Sequence, residues 1–587
     1  MERITRRTFL QTTGAATGAM LLSSGTGGAT SPSEAEGVFA PENSWSTPLG
    51  TAGKTRATHA AGPAGPYLRS RWRDGPSGYF SGDSDSQSPV VANGIAYLSI
   101  TENVGTTDGA VIAYDVASGE QLWKLDKLPA ESQLSSESQA GGQLGRPNSQ
   151  PIISDGSVYI SCSGKVPPYE HKGHVGIYSV DATTGEIQWR RADLGTPVIE
   201  VANDRVYFGG GALDAATGQS IWEIEGEDRL IGVAGGTLYT ISWCSTVSTT
   251  EIIARDATTG TKQWRVEKSL DQPVGTAITT DAIYVTSRSH EEEPSLTVSA
   301  LSTVDGSILW RSPAPARGTA PTTEYGTERD TYTVERNPYI SVPAVDESRL
   351  YVLTRSYTDD IFDPVYESQG EYFDSHSTLY AFDRVSGNEL WRFETPAQVE
   401  AAPTVTDDTI YFASKYHESF DDSEPSWGTP AIYALDTETG SKKWVSAINA
   451  ESDAYLTPPT IVNRDVFIAT IEIGDFYPDL YALESTQCGE SIPDDGSETV
   501  RNSSDNKLNR RAPSGSNAIQ QKPDIYSGDV EPLVSQDSHI ANVVSTPPTA
   551  DHSLLSIRDR SWHSPLAFIG GLGASLGAYL NNRSPLK

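Results

Sequence analysis

The residues best equipped for chemistry fall in a few short stretches. Tyr169-Glu170-His171 with His174 gives a Glu-His-x-x-His spacing, and imidazole with carboxylate suits a transition metal. Acids at Asp359-Asp360 with Asp363, at Asp421-Asp422 and at Glu291-Glu292-Glu293 offer the hard oxygens that Ca²⁺ takes. None follows an EF-hand or β-roll spacing, and solvated polar side chains are the commoner outcome of such runs in loops. Aromatics form a third group: Phe362, Tyr366, Tyr372 and Phe373 in one stretch, Tyr416, Phe420 and Trp427 in another. Exposed on one rim, they suit a protein or peptide interface; packed on each other, they make a loop cap. With Tyr169, His171 and His174 they form the candidate binding rim. No nucleotide loop, nucleophile elbow or zinc-protease motif occurs, and Arg146 and Arg190-Arg191 read as isolated surface cations. No residue is assigned a catalytic role, and the metal question stays open.

What must position these residues is a repeat. The phrase Asp-x-x-Thr/Ser-Gly-x-x-x-Trp occurs six times in full. The copies are Asp115, Gly119 and Trp123; Asp181, Gly185 and Trp189; Asp214, Gly218 and Trp222; Asp256, Gly260 and Trp264; Asp383, Gly387 and Trp391; and Asp436, Gly440 and Trp444. A weaker copy has Ser302, Gly306 and Trp310. Repeats at this period mean a solenoid, propeller or array. The Asp side chain can accept backbone N–H groups two or three residues on, and Gly supplies a positive φ for the hairpin end. Trp has a face to bury between units and an N–H to give to a carbonyl. Inter-blade packing explains the Trp series without a ligand.

Each unit reads as four short strands. In the last full one, 401–405 leads through the turn 406–408 to the strand 409–413, then to 431–435, the Asp436 turn and a strand carrying Trp444. Trp72, in Leu68-Arg69-Ser70-Arg71-Trp72-Arg73, resembles the outer strand of a unit without its first three. Residues 455–483 supply three strands with no Trp after them. The two fragments complement each other. The sequence therefore predicts an all-β, eight-bladed propeller of four-stranded antiparallel blades, its last blade closed by an N-terminal strand. The long insertions, at 127–148, 162–175, 288–296, 312–338, 355–377 and 414–430, all fall in connections from strand B to C or from D to the next A. They belong on one rim, where binding residues usually sit.

The ends carry other signals. Arg6 and Arg7, in Thr5-Arg6-Arg7-Thr8-Phe9-Leu10, begin a twin-arginine export signal over 1–29, and export to the cell surface or beyond is expected. Residues 30–66 read as a linker and docking strap, 67–486 as the propeller, and 487–550 as a disordered linker poor in large apolar residues. The tail 551–587 has a short Gly-rich apolar segment at 565–580. A floppy or surface-docked tail fits its length better than a membrane anchor. Asp+Glu number 77 against 43 Lys+Arg, giving a net charge of −34 spread through the repeats. That acidic surface suits very high salt and argues against nucleic acid, which needs a basic stripe. Three separated cysteines exclude a disulfide scaffold.

The phrase, the run 89–97 and the closing Trp strand resemble the pyrroloquinoline-quinone-type (PQQ-like) β-propeller repeat family over residues 67–486. The resemblance implies either of two branches. Quinoprotein alcohol and glucose dehydrogenases hold the quinone and Ca²⁺ on the propeller axis. Exported relatives, resembling the outer-membrane barrel-assembly propeller lipoprotein, hold no cofactor and bind proteins; similar propellers occur in salt-loving archaea. This sequence lacks the adjacent cysteines and the haem-attachment motif of the first branch, and the Glu, Asn and Asp set for Ca²⁺ matches no motif in it. The expectation is an exported, monomeric scaffold without cofactor that binds a protein or extracellular ligand on its long-loop face. The alternative is a PQQ-dependent alcohol or sugar dehydrogenase.

Overall fold

Apolar alternation with a turn residue every few positions yields strands and no helix among the described residues. The structure is a computed structural model. It describes residues 40–502, except 42, 77–87, 102–107, 129–141, 164–173, 195–197, 225–228, 245–248, 269, 290–294, 317–323, 326–331, 334–337, 357–360, 363–368, 371–375, 396, 400, 417–428, 451–454, 472–477 and 487–498. Of the 487–550 segment only the strand Thr499–Asn502 is described.

Eight antiparallel sheets follow in chain order, numbered here as blades one to eight. Blade one shows the pattern: Val90–Ala92, Ile95–Thr101, Gly109–Asp115 and Gln121–Leu125 pair in sequence from inner strand A to outer strand D. Inner strands of blades two, six, seven and eight come in two pieces, with Pro151, Pro343, Pro403 and Pro459 just before the second piece. Proline suits this edge, because one side of strand A pairs with nothing in its own sheet. In blade eight, strands A to C end with Pro478–Thr486, and the D strand is Tyr67–Asp74, paired antiparallel with it from Tyr67↔Thr486 to Asp74↔Leu480. The expected closure by an N-terminal strand is what forms.

The buried side chains make eight clusters, each spanning two neighbouring blades, including one between blades eight and one. That closes the ring independently of any tryptophan count. At the turns, Asp115 Oδ1 accepts the Ser118 N–H at 2.8 Å and its hydroxyl at 2.7 Å, and Asp256 and Thr259 repeat the arrangement. These bonds, led by the hydroxyl, hold the Asp115 and Asp256 carboxyls below the usual range.

The repeat glycines do what the phrase requires of them, and one thing more. Gly119, Gly185, Gly218, Gly260, Gly306, Gly387 and Gly440 all have φ of 67–75°, the left-handed turn conformation. The spacing alone assigns them only that backbone role. The structure adds a packing role, because each lies against the indole of the preceding blade. A Cβ would fall 2.6 Å from Trp72 at Gly119, 2.8 Å from Trp123 at Gly185, 2.6 Å from Trp189 at Gly218 and 2.6 Å from Trp222 at Gly260. At Gly306 it would fall 2.8 Å from Trp264, at Gly387 2.4 Å from Trp310 and at Gly440 2.5 Å from Trp391. These glycines therefore belong to the blade interfaces rather than to any ligand site.

Each repeat indole draws on up to three kinds of contact. Its N–H donates at 2.7–3.2 Å to a carbonyl of the next blade: Trp72 to Val116, Trp123 to Ala182, Trp189 to Ala215, Trp222 to Ala257, Trp264 to Thr303, Trp310 to Arg384 and Trp391 to Thr437. Across the strand pair it faces a small residue, Ala113, Ala212, Ala254, Ala300, Ala381, Ala434 or Ala482, and Ser179 in blade two. A strand-B aromatic packs on it at about 6 Å, as in Tyr97–Trp123 and Tyr351–Trp391. Trp444 instead meets Gly65 of the strap, where a Cβ would lie 2.3 Å from its Nε1.

Candidate functional site

A propeller's natural site is its axis, where the inner strands leave one row of backbone groups unpaired. Here the position two residues before each A–B turn presents an amide to the axis, and the chain's own N-terminal segment takes it. Val91 N–H donates to Trp45 O at 3.0 Å, Ile153 to Ser46 at 2.8 Å, Val233 to Ala52 at 3.1 Å and Ile278 to Gly53 at 2.6 Å. Val345 donates to Thr55 at 2.8 Å and Val405 to Arg56 at 3.0 Å. These six amides belong to blades one, two, four, five, six and seven, visited in strap order. The sequence expectation of a docking strap at 30–66 thus acquires a location: residues 45–58 lie inside the ring. They lie at the end bearing the short A–B and C–D turns, here the turn face.

Blade three solves the same problem differently. Val201 N–H is satisfied by the carboxylate of Glu200 at 3.3 Å, and Lys54 of the strap faces that carboxylate. Burial lowers the Lys54 pKa to about 8 and raises that of Glu200 to about 8, each offset in part by attraction to the other. At blade eight, hydroxyls carry the circuit: Thr404 Oγ1 donates to Pro459 O at 2.6 Å and Thr460 Oγ1 to Pro89 O at 2.7 Å.

The strap has a core of its own. Trp45 is fully buried in the cluster between blades eight and one. Arg56, also fully buried, stands 5.7 Å over the Trp45 ring; its Nε donates to Pro403 O and its Nη2 to Thr404 Oγ1, both at 2.9 Å. Thr51 and Thr55 exchange a 2.8 Å hydroxyl contact. A Cβ on Gly53 would come 2.2 Å from Ile278 O, so only glycine fits there. Lys54 and Arg56 adopt φ of 60° and 51°, a left-handed backbone that non-glycine residues hold only when their surroundings impose it.

The opposite face carries the B–C and D–A connections. Of the candidate rim, Tyr169, His171, Tyr366, Tyr372, Phe373, Phe420 and Trp427 lie outside the described residues, as do the acidic runs Glu291–Glu293, Asp359-Asp360, Asp363 and Asp421-Asp422. Phe362 and Tyr416 are placed on the strands Ile361–Phe362 and Thr409–Tyr416. His174 is 8% exposed and built into blade two: its carbonyl accepts Gly145 N–H at 3.0 Å and the Tyr178 hydroxyl at 2.9 Å. Its imidazole pKa is lowered by burial and by Arg190. Arg190 stacks on Tyr178 at 5.4 Å and donates to Val175 O at 2.8 Å, and Arg146 pairs with Ser163 on the inner strand. These cations belong to blade two's framework. Sequence reasoning missed Trp45, Lys54, Arg56 and Glu200; the one available signal was a lone Trp and a lone Arg in a Ser/Gly/Ala-rich stretch.

Comparison with known proteins fits this architecture. The PQQ-like repeat model described as outer membrane protein assembly factor BamB matches residues 171–337, 248–376 and 296–475. The chain belongs to this PQQ-like propeller family. The alcohol dehydrogenase (quinone) dehydrogenase subunit of Gluconacetobacter polyoxogenes is 29% identical over 119 residues, 20% of this chain and 15% of that protein. Quinohemoprotein alcohol dehydrogenase from Comamonas testosteroni aligns with 12% identity over 77% of this chain and 82% of its own, at a TM-score of 0.43. BamB from Moraxella catarrhalis aligns with 13% identity over 70% and 99%, at 0.28. At these scores the likenesses carry no argument, and the blade count rests on the strand pairings. For a quinone with Ca²⁺, the turn end of the axis is a poor fit: its six amides and the Arg56 head already bind within the chain. No group of three or more His, Cys, Asp or Glu able to hold a metal occurs among the described residues. Cys162 is a free, buried thiol whose pKa burial pushes up.

Proposed function

We propose that the chain is an exported binding propeller, without quinone or metal, that engages a protein or another extracellular ligand through its loop-bearing face. One observation carries the reading. The axial groups that a small ligand would use at the turn end are taken by residues 45–58, so the adaptable surface left to the family scaffold is the loop face. Twin-arginine export, a monomeric state and the absence of nucleic acid as a partner belong to the same reading and rest on the sequence. Purified protein supplied with pyrroloquinoline quinone and Ca²⁺ is expected to leave an artificial dye unreduced in the presence of alcohols or sugars. Substrate-dependent reduction would replace this reading with the second one, a quinoprotein dehydrogenase, which the 119-residue match to a quinone alcohol dehydrogenase subunit favours. For the interface, Phe373→Ala with Trp427→Ala is expected to lower recovery of envelope proteins in a pull-down; equal recovery would move the interface off that rim.

A further inference from the structure

We infer that residues 40–74 form one closing device, a plug continuous with a latch, whose docking fixes the ring at eight blades and shuts the turn end of its axis in a single event. Three observations carry this.

The first is the plug's register. Trp45, Ser46, Ala52, Gly53, Thr55 and Arg56 meet equivalently placed amides of blades one, two, four, five, six and seven in that order. The strap makes one circuit inside the ring, so its own backbone spacing sets how far apart successive inner strands stand. A ring with one blade more or fewer would carry those amides out of hydrogen-bond reach. Strap residues also join four of the inter-blade clusters: Ala57 between blades six and seven, Ala60 between seven and eight, Ala40 and Trp45 between eight and one, Ala52 between three and four.

The second is the latch. Seven blades receive their D strand through a covalent turn, and blade eight receives Tyr67–Asp74 by pairing alone. That strand carries three arginines that reach acids of the same blade. Arg69 meets Glu484 at 2.6 Å, Arg71 meets Asp465 at 2.8 Å, and Arg73 meets Asp479. Arg71 Nη2 also donates to Val116 O of blade one at 2.9 Å.

The third is the joint, which has no slack. Thr58 N–H donates to Val405 O at 2.9 Å, and Leu68 N–H to Ser446 Oγ at 2.9 Å. Between them a Cβ on Gly62 would fall 1.9 Å from the Tyr411 hydroxyl, and one on Gly65 2.3 Å from Trp444 Nε1. A chain this tightly threaded between blades seven and eight cannot seat the plug with the latch undone.

The test cuts the chain after folding, between the latch strand and blade one. A protease site placed within 79–85 of the full-length chain is cleaved in the native protein, and two readouts are followed through a urea titration. These are release of the N-terminal fragment, by size exclusion, and near-ultraviolet circular dichroism of the blades. Coincident midpoints are expected. Release of the fragment while the blades keep their signal would overturn the inference. In uncut protein, the amides of Val91, Ile153, Val233, Ile278, Val345 and Val405 should exchange as slowly as those of Leu98 and Val352; exchange tenfold faster at the axis would also overturn it. Gly53→Val should lower both midpoints together, and if that variant does not fold, the cleaved wild type decides alone.

Discussion

Seven blades and the eighth reach the same geometry by different means. In the seven, a turn begun by Asp in six and by Ser302 in blade five, with a left-handed Gly, sets the D strand, and all the information lies within about ten residues, as at Asp256–Trp264. In the eighth, the D strand arrives from the other end of the chain. Arginine pairs and a threaded strap stand where a turn would be. Local turns specify a blade wherever they occur, whereas the eighth blade is specified only once the other seven are in place. The ring's integrity therefore depends more on the segment 40–74 than on any single hairpin.

Substitutions can break or sharpen this contrast. Trp391→Ala, at a site 1% exposed, should cost about 3–5 kcal/mol. Trp72→Ala, at the half-buried seam, should cost less, as read from urea midpoints. A reversed order would make the seam the tighter of the two interfaces. Lys54→Met removes the cation that draws Glu200 towards its ionised form, leaving a neutral carboxyl without its partner in the axis, and should cost about 1–3 kcal/mol, part of it restored by adding Glu200→Gln. The pH dependence has a definite sign. The raised Glu200 pKa makes stability fall as pH rises from about 4.5 towards 8, and the lowered Lys54 pKa makes it recover between 8 and 10.5. Thermal midpoints of the wild type should thus show a trough near pH 8 that the double variant lacks. Arg71→Met removes bonds to Asp465 and Val116 at a partly exposed site and should cost about 1–2 kcal/mol. Asp383→Ala, which opens one covalent turn, should cost about 1 kcal/mol or less by the same measurement.

How far the sequence reveals this depends on range. Trp, Gly and Asp at fixed spacing announce the blades because a hairpin is a local object, and Trp72 with no strands before it points to the closure. The contact between a turn glycine such as Gly387 and the indole of the blade before it is not in that spacing, since it joins two units. The alanines facing the indoles and the strand-B tyrosines were equally periodic but harder to see, since Ala and Tyr are frequent in any strand. The plug was not legible. Its bonds are backbone carbonyls to amides, which leave no side-chain signature, and Lys54 and Glu200 meet only through the closed ring. His174 shows the converse: a metal-like spacing placed a histidine on a rim, and folding packs it under Tyr178 and Gly142. The acidic and aromatic loops offered residue types without geometry, because their positions depend on contacts that short-range spacing does not encode.

The closing strand also has a consequence for how the molecule is made. Arg69 must wait for Glu484, 415 residues later, before it finds its partner. Protein synthesis delivers the latch first and its berth last, so a chain that has not yet reached Pro478–Thr486 carries an unpaired latch. A product truncated before Pro478–Thr486 has no strand for Tyr67–Asp74 to pair with. Synthesis of Pro478–Thr486, rather than the folding of any one blade, becomes the moment at which the eighth blade can receive its outer strand.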